Sequence, residues 1–168
     1  MALPPGRSID LPGRGQTFIR EVAGPPDAPT LMLLHGWTAT ADLNWFTTFE
    51  LLGQHFRIIA PDHRGHGQGI RLKGSFRLED CADDVAAIAD ILGINTFIPV
   101  GYSMGGTIAQ LIWQRHESRV RGLVLCSTAP HFTTSREERL GFLGLTGLAA
   151  LSRLTPTQTR DWLTEQIY

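Results

Sequence analysis

The stretch Phe97-Ile98-Pro99-Val100-Gly101-Tyr102-Ser103-Met104-Gly105-Gly106-Thr107 decides how the rest of the chain is read. Residues 97–100 are an apolar run of the kind that forms a strand covered on both faces, and residues 105–115 read as a helix. Between them stands Gly101-Tyr102-Ser103-Met104-Gly105, a Gly-x-Ser-x-Gly turn whose small flanking residues let the chain reverse sharply and lift the serine hydroxyl out. A strand before and a helix after are the context this nucleophile elbow requires, so Ser103 is the candidate nucleophile for acyl transfer. Two phosphate-binding loops are set aside by spacing. The dinucleotide pattern fails because position 103 is serine, and the nucleoside-triphosphate loop fails because Thr107 follows Gly106 where lysine is needed.

Toward the N-terminus, Thr30–Leu34 and residues 57–60 are continuous apolar runs, ending in His35-Gly36 and Pro61-Asp62. Toward the C-terminus, residues 120–126 read as another buried strand. The connecting segments carry helical spacing instead. Residues 78–92 place Cys81, Val85, Ile88, Ala89 and Leu92 on one face, with Glu79, Asp80, Asp83 and Asp84 in the first turns and Gly93 as the stop. Residues 44–54 bring Trp45, Phe46, Phe49, Leu51 and Leu52 to the same kind of spacing and predict a single short crossover helix. Strand and helix in alternation imply right-handed crossovers and an α/β fold, a mostly parallel sheet with helices on both faces. Residues 16–22 read as an outer edge strand, preceded by an N-terminal extension over 1–15. The expected core runs over 16–130. Residues 131–168, rich in Leu and Gly up to about Leu151, read as the start of a helical lid.

A serine nucleophile needs donors for the oxyanion that develops on the attacked carbonyl. The backbone N–H of Met104, at the start of the new helix, is one candidate, and that of Trp37, where another strand ends in His35-Gly36-Trp37, is the second. His35 lies before that turn, on the strand side, and reads as a histidine that bonds neighbouring loops. Asp62-His63-Arg64-Gly65-His66-Gly67 has a His-x-x-His spacing, but it lacks a third ligand and a helical frame, so a structural turn is expected and no metal site.

His35-Gly36-Trp37, Asp62-His63-Arg64-Gly65-His66-Gly67 and Gly101-Tyr102-Ser103-Met104-Gly105-Gly106, in this order, resemble the α/β-hydrolase family. The resemblance spans residues 16–130. It implies an eight-stranded, mostly parallel sheet, a Ser-acid-His triad, no cofactor, and a helical lid after the sixth strand. Only Ser103, Trp37 and Met104 carry over residue by residue. The turn after Asp62 departs from the family in continuing Gln68-Gly69-Ile70, where a serine is common.

In that fold the triad acid and histidine follow the serine, on loops after later strands. Glu117 followed by His131 is the only pair in the required order. However, Glu117 lies past the far end of the helix that starts at the elbow, about 15 Å away at 1.5 Å per residue. His131, just past the carboxyl end of a strand, is expected to line the substrate site or to hinge the lid. The sheet is therefore expected to be missing its last strands, the chain to be a fragment with little activity alone, and the apolar strand at 120–126 to present an open edge.

Composition narrows the partners. Charged residues make up only 18% against 42% hydrophobic, which fits a buried apolar sheet. A net charge of −1 with no basic run gives nucleic acid no electrostatic footing. Cys81 and Cys126 have neither a disulfide framework nor zinc spacing around them, and no secretory h-region opens the chain, so the cytosol is the expected compartment. The most apolar stretch, at 140–151, is too short and Gly-interrupted to span a bilayer. The expected activity is hydrolysis of an ester-type bond in a small, apolar acyl substrate through an acyl-enzyme on Ser103. Acyl transfer to an alcohol, cofactor-free lyase or perhydrolase chemistry, and a non-catalytic binding or scaffold role are the alternatives.

Overall fold

A computed structural model describes residues 2–71 and 74–129. Six strands form one sheet: β1 (Gly6–Leu11), β2 (Gly15–Val22), β3 (Thr30–Leu34), β4 (Arg57–Pro61), β5 (Ile98–Tyr102) and β6 (Val124–Cys126). Their order across the sheet is β1-β2-β4-β3-β5-β6. β3 pairs in parallel with both β4 and β5, and β5 in parallel with β6, while β1 and β2 join antiparallel at one side.

The apolar run in β3 is explained by what lies on each side of it. All five residues are buried, with Met32 and Leu34 turned to one core and Leu31 and Leu33 to the other. Successive side chains on a strand point to opposite faces, so a strand between two helical layers must be apolar at every position. The first layer is α3 (Leu78–Ile91) and α4 (Met104–Arg115), which supply Val85, Ile88, Ile108 and Ile112. The second is α1 (Ala41–Trp45) and α2 (Phe49–Gly53), which supply Ala41, Trp45 and Phe49. Helices therefore cover both faces of a mostly parallel sheet.

α3 stops where the sequence predicts. Gly93 takes a φ of 64°, its N–H donates to the Asp90 carbonyl, and the Ile94 N–H reaches back to the Ala89 carbonyl at 2.8 Å. This double return is the glycine-terminated helix end that satisfies otherwise orphaned carbonyls.

Four expectations are corrected. Residues 6–11, set outside the core as part of an extension, form β1 and bury Ile9 and Leu11. The strand at 16–22 is not an edge, because β2 has β1 on one side and β4 on the other. The segment at 44–54 is not one helix. Thr40 caps α1 by accepting the Leu43 N–H, and the Thr48 hydroxyl donates to the Trp45 carbonyl, a local side-chain bond that competes with helix continuation before α2. Finally, β6 is three residues long, with Val124 and Leu125 exposed, where a buried strand over 120–126 was expected; Val120 makes only an isolated bridge to Phe97. Among the described residues β6 pairs with β5 alone. The expected lid over 131–168 lies outside the described residues.

Candidate active site

β5 delivers the chain to Ser103 and α4 carries it away, and Ser103 itself is held at φ 52°, ψ −117°. A non-glycine residue in this region costs on the order of 1–3 kcal/mol and persists only where its surroundings over-determine it. Here they do. The Ser103 N–H donates to the Cys126 carbonyl at 3.0 Å, and the Ser103 carbonyl accepts from the Gly106 N–H at 2.9 Å and from the Thr128 hydroxyl at 2.8 Å. The turn is also too crowded for side chains at its flanks. A methyl group on Gly101 would strike the Gly105 carbonyl, and one on Gly105 would strike the carbonyl of Leu34 in β3. The glycines of the motif are thus required by close approach of backbone to backbone.

The loop after β3 lies against this turn. A Cβ on Gly36 would meet Ser103 Cβ and the Tyr102 ring, each at 3.3 Å. Trp37, the next residue, is 38% exposed, and Tyr102, the residue before the serine, is 40% exposed. The Trp37 ring is packed edge-on by His66 and Phe76, with centroids 5.3 Å away in both cases. Met104 is the first residue of α4, and its N–H is among those a helix start leaves without an intrahelical acceptor. Of the three residues singled out from sequence, Ser103 and Met104 stand at the carboxyl end of β5, and Trp37 follows Gly36 in the loop at the carboxyl end of β3. His131 lies outside the described residues, and Glu117 follows the far end of α4, in a 3-10 turn.

His35 is fully buried and bonds two neighbouring loops. Its Nε2 accepts the His63 N–H at 2.9 Å, and its Nδ1 lies 2.8 Å from the Gly36 carbonyl oxygen. A carbonyl only accepts and an N–H only donates, so the ring is the neutral tautomer with its proton on Nδ1. Burial pushes its pKa down to about 4, although the Gly36 carbonyl works the other way. His63, 4.3 Å from His35 between ring centroids, is likewise buried, and burial holds its pKa well below the ordinary value. Both rings are neutral at pH 7.

Asp62 occupies the turn that sequence reading assigned to structure. One carboxylate oxygen accepts the Ala41 N–H at 2.9 Å, the other the Gln68 N–H at 2.8 Å. It thereby ties the start of α1 to the loop after β4. Among the described residues no group of three or more His, Cys, Asp or Glu side chains is placed to hold a metal ion. No helix among them is long and apolar enough to cross a membrane.

Two polar contributors escaped the sequence reading. Thr128, two residues past β6, bonds the Ser103 carbonyl, and Asn44 on α1 accepts the Gly36 N–H through its Oδ1 at 2.8 Å. Asn44 carried one faint signal, a polar residue beside Trp45 in an otherwise apolar pattern. Thr128 carried none.

Comparison with known proteins bears on the family and the fold. The family model described as alpha/beta hydrolase fold matches residues 29–161. A bifunctional esterase/perhydrolase of Acinetobacter calcoaceticus is 34% identical over 68% of this chain, and a proline iminopeptidase of Pestalotiopsis fici is 35% identical over 69% of it. In each case the chain spans 42% of the relative's length. The crystal structure of an enol-lactonase from Burkholderia xenovorans superimposes with a TM-score of 0.68 at 28% identity, covering 76% of this chain and 48% of that one.

Proposed function

From a chain that belongs to the alpha/beta hydrolase fold family, we propose a serine hydrolase that cleaves an ester-type bond through an acyl-enzyme on Ser103. The observation that carries the proposal is the strained backbone of Ser103, φ 52° and ψ −117°, at a strand-to-helix turn against which Gly36 is packed. Strain of this kind at a nucleophile is part of its positioning. The Oγ attacks the acyl carbonyl as its proton passes to a general base, and the base returns that proton to the leaving oxygen, which departs as an alcohol while the carbonyl re-forms. Water then releases the acid from the enzyme. Trp37 and Met104 donate their N–H groups to the oxyanion, each worth about 3 kcal/mol in the transition state.

The general base and its orienting acid are assigned outside the described residues, and His131 to lining the substrate. The substrate is a small apolar acyl ester, a reading that draws on the exposed Tyr102 next to the serine and on the exposed Trp37 in the neighbouring loop. No cofactor is required by this chemistry. The free cysteines Cys81 and Cys126 support a cytosolic location. A perhydrolase reading, in which peroxide replaces water at the acyl-enzyme, is favoured by the esterase/perhydrolase relative and is separated from hydrolysis by product analysis with added peroxide.

A fluorophosphonate probe tests the proposal. The full-length protein is expected to be labelled, and Ser103→Ala to abolish labelling and lower turnover about 10⁶-fold. A full-length protein that reacts with no probe, or a Ser103→Ala variant that still labels, refutes it.

A further inference from the structure

The loop that would offer the Trp37 N–H poses a mechanical problem. Gly36 is packed so closely on Ser103 that a larger residue would press on the nucleophile. Glycine is also the residue with the widest backbone freedom, so the two peptide planes that meet at Gly36 are free to swivel unless something outside the backbone holds them. A donor that swivels loses much of its value, because an oxyanion site works by being pre-aimed.

Both planes are held by side chains. The peptide between Gly36 and Trp37 is fixed at its carbonyl end, where the oxygen faces His35 Nδ1 at 2.8 Å and accepts the Ala39 N–H at 3.4 Å. In a trans peptide the N–H points opposite to the C=O, so fixing that carbonyl also fixes the direction of the Trp37 N–H. The peptide between His35 and Gly36 is fixed at its N–H, which donates to Asn44 Oδ1 at 2.8 Å.

We infer that Asn44 is a positioning residue of the oxyanion site: by holding the Gly36 N–H it fixes the second of the two planes that meet at Gly36, and together with the contacts on the Gly36 carbonyl it keeps the Trp37 N–H in place beside Ser103. The inference rests on the hydrolase reading for its catalytic meaning. Asn44 has a firm base from which to do this. α1 is anchored without it, by the paired bonds of Arg20 to Asp42 at 2.8 Å each and by the Asp62 carboxylate on the Ala41 N–H at 2.9 Å. The Asn44 amide is therefore not needed to dock the helix that carries it.

The test uses the full-length protein with Asn44→Ala and Asn44→Asp, and with Leu43→Ala as a control on the same helix at an exposed position. Turnover of p-nitrophenyl butyrate and amide hydrogen exchange at Gly36 are both measured. Asn44→Ala is expected to lower kcat by about ten- to a hundredfold with KM within about twofold, as an interaction made only in the transition state requires. Gly36 exchange is expected to quicken at least about tenfold as its bond is lost. Asn44→Asp, which keeps an acceptor of the same reach, is expected to restore Gly36 protection and a kcat above that of Asn44→Ala. Leu43→Ala should match the wild type in all three. Wild-type Gly36 exchange in Asn44→Ala overturns the inference, as does a kcat that falls no further than in Leu43→Ala. If Asn44→Ala does not fold, Asn44→Asp with unprotected Gly36 overturns it equally. A wild-type protein that neither labels nor turns over ester removes the hydrolase reading, while Gly36 exchange in Asn44→Ala still decides whether Asn44 holds the turn.

Discussion

Replacing Thr128 with valine probes how Ser103 is kept in its strained state. The Thr128 hydroxyl donates to the Ser103 carbonyl at 2.8 Å, and its side chain packs where Gly106 leaves no room for a Cβ. Valine keeps the branched shape and removes only the donor, so packing against α4 is preserved. The Ser103 carbonyl still accepts from the Gly106 N–H at 2.9 Å and is not orphaned, so the cost is that of one net hydrogen bond, about 1 kcal/mol. That is a sizeable share of the roughly 1–3 kcal/mol stored at a backbone of this kind. At 1.36 kcal/mol per tenfold, 1 kcal/mol shifts the balance between held and relaxed turn about fivefold. We expect Thr128→Val to unfold in urea with about 1 kcal/mol less stability. Its fluorophosphonate labelling rate should fall severalfold more than in a surface variant of equal stability. Wild-type stability together with a wild-type labelling rate would show that the elbow is held without the Thr128 hydroxyl and would refute the reasoning.

Acid should weaken the fold before the carboxylates are reached. His35 is held at about pKa 4 against 6.5 when unfolded, so between those values the unfolded chain binds a proton that the folded one does not. Stability is therefore full above about pH 6.5 and declines as pH falls toward 4, by about 3 kcal/mol from His35 alone, with His63 acting in the same direction. Urea midpoints at pH 7, 5.5 and 4.5 check this, and a flat profile contradicts it. A separate perturbation concerns Asp84 on α3, whose buried carboxylate accepts 2.6 Å bonds from both Arg14 and Arg64. Asp84→Ala leaves two guanidinium groups without that partner and should cost about 3 kcal/mol in denaturant unfolding, the lower end for broken buried pairs because Arg14 is partly exposed.

What could be read from the chain, and what could not, follows from the range of the forces involved. β3 was legible to the residue because burial on both faces writes an unbroken apolar run, and α3 because its face, acidic first turn and terminal glycine agree. The elbow was legible because close backbone approach at Gly101 and Gly105 tolerates few residue types. β1 was missed because only Ile9 and Leu11 of its six residues are buried, too short an alternation to stand out among prolines and glycines. The break between α1 and α2 turns on one hydroxyl-to-carbonyl bond, from Thr48 to Trp45, that does not alter the spacing of apolar residues. Thr128 and Asn44 act by bonding backbone brought near by folding, which leaves no periodic trace. The place of His35 before a turn marks it as a loop-bonding histidine, but that one of its contacts falls on the carbonyl behind Trp37 is visible only in three dimensions.

The single carboxylate of Asp62 couples the lengths of two loops. Its oxygens reach one N–H at the start of α1 and another at Gln68, so the segments 35–41 and 62–68 are measured against the same few ångströms. The first loop carries Trp37 and the second packs His66 against its ring, so variation in side chains there would reshape this rim. Substitutions there are geometrically cheap, whereas an insertion or deletion in either segment withdraws an N–H from Asp62 and disturbs the other loop as well. Diversity at this rim of the site is therefore available through residue identity and closed to changes in chain length.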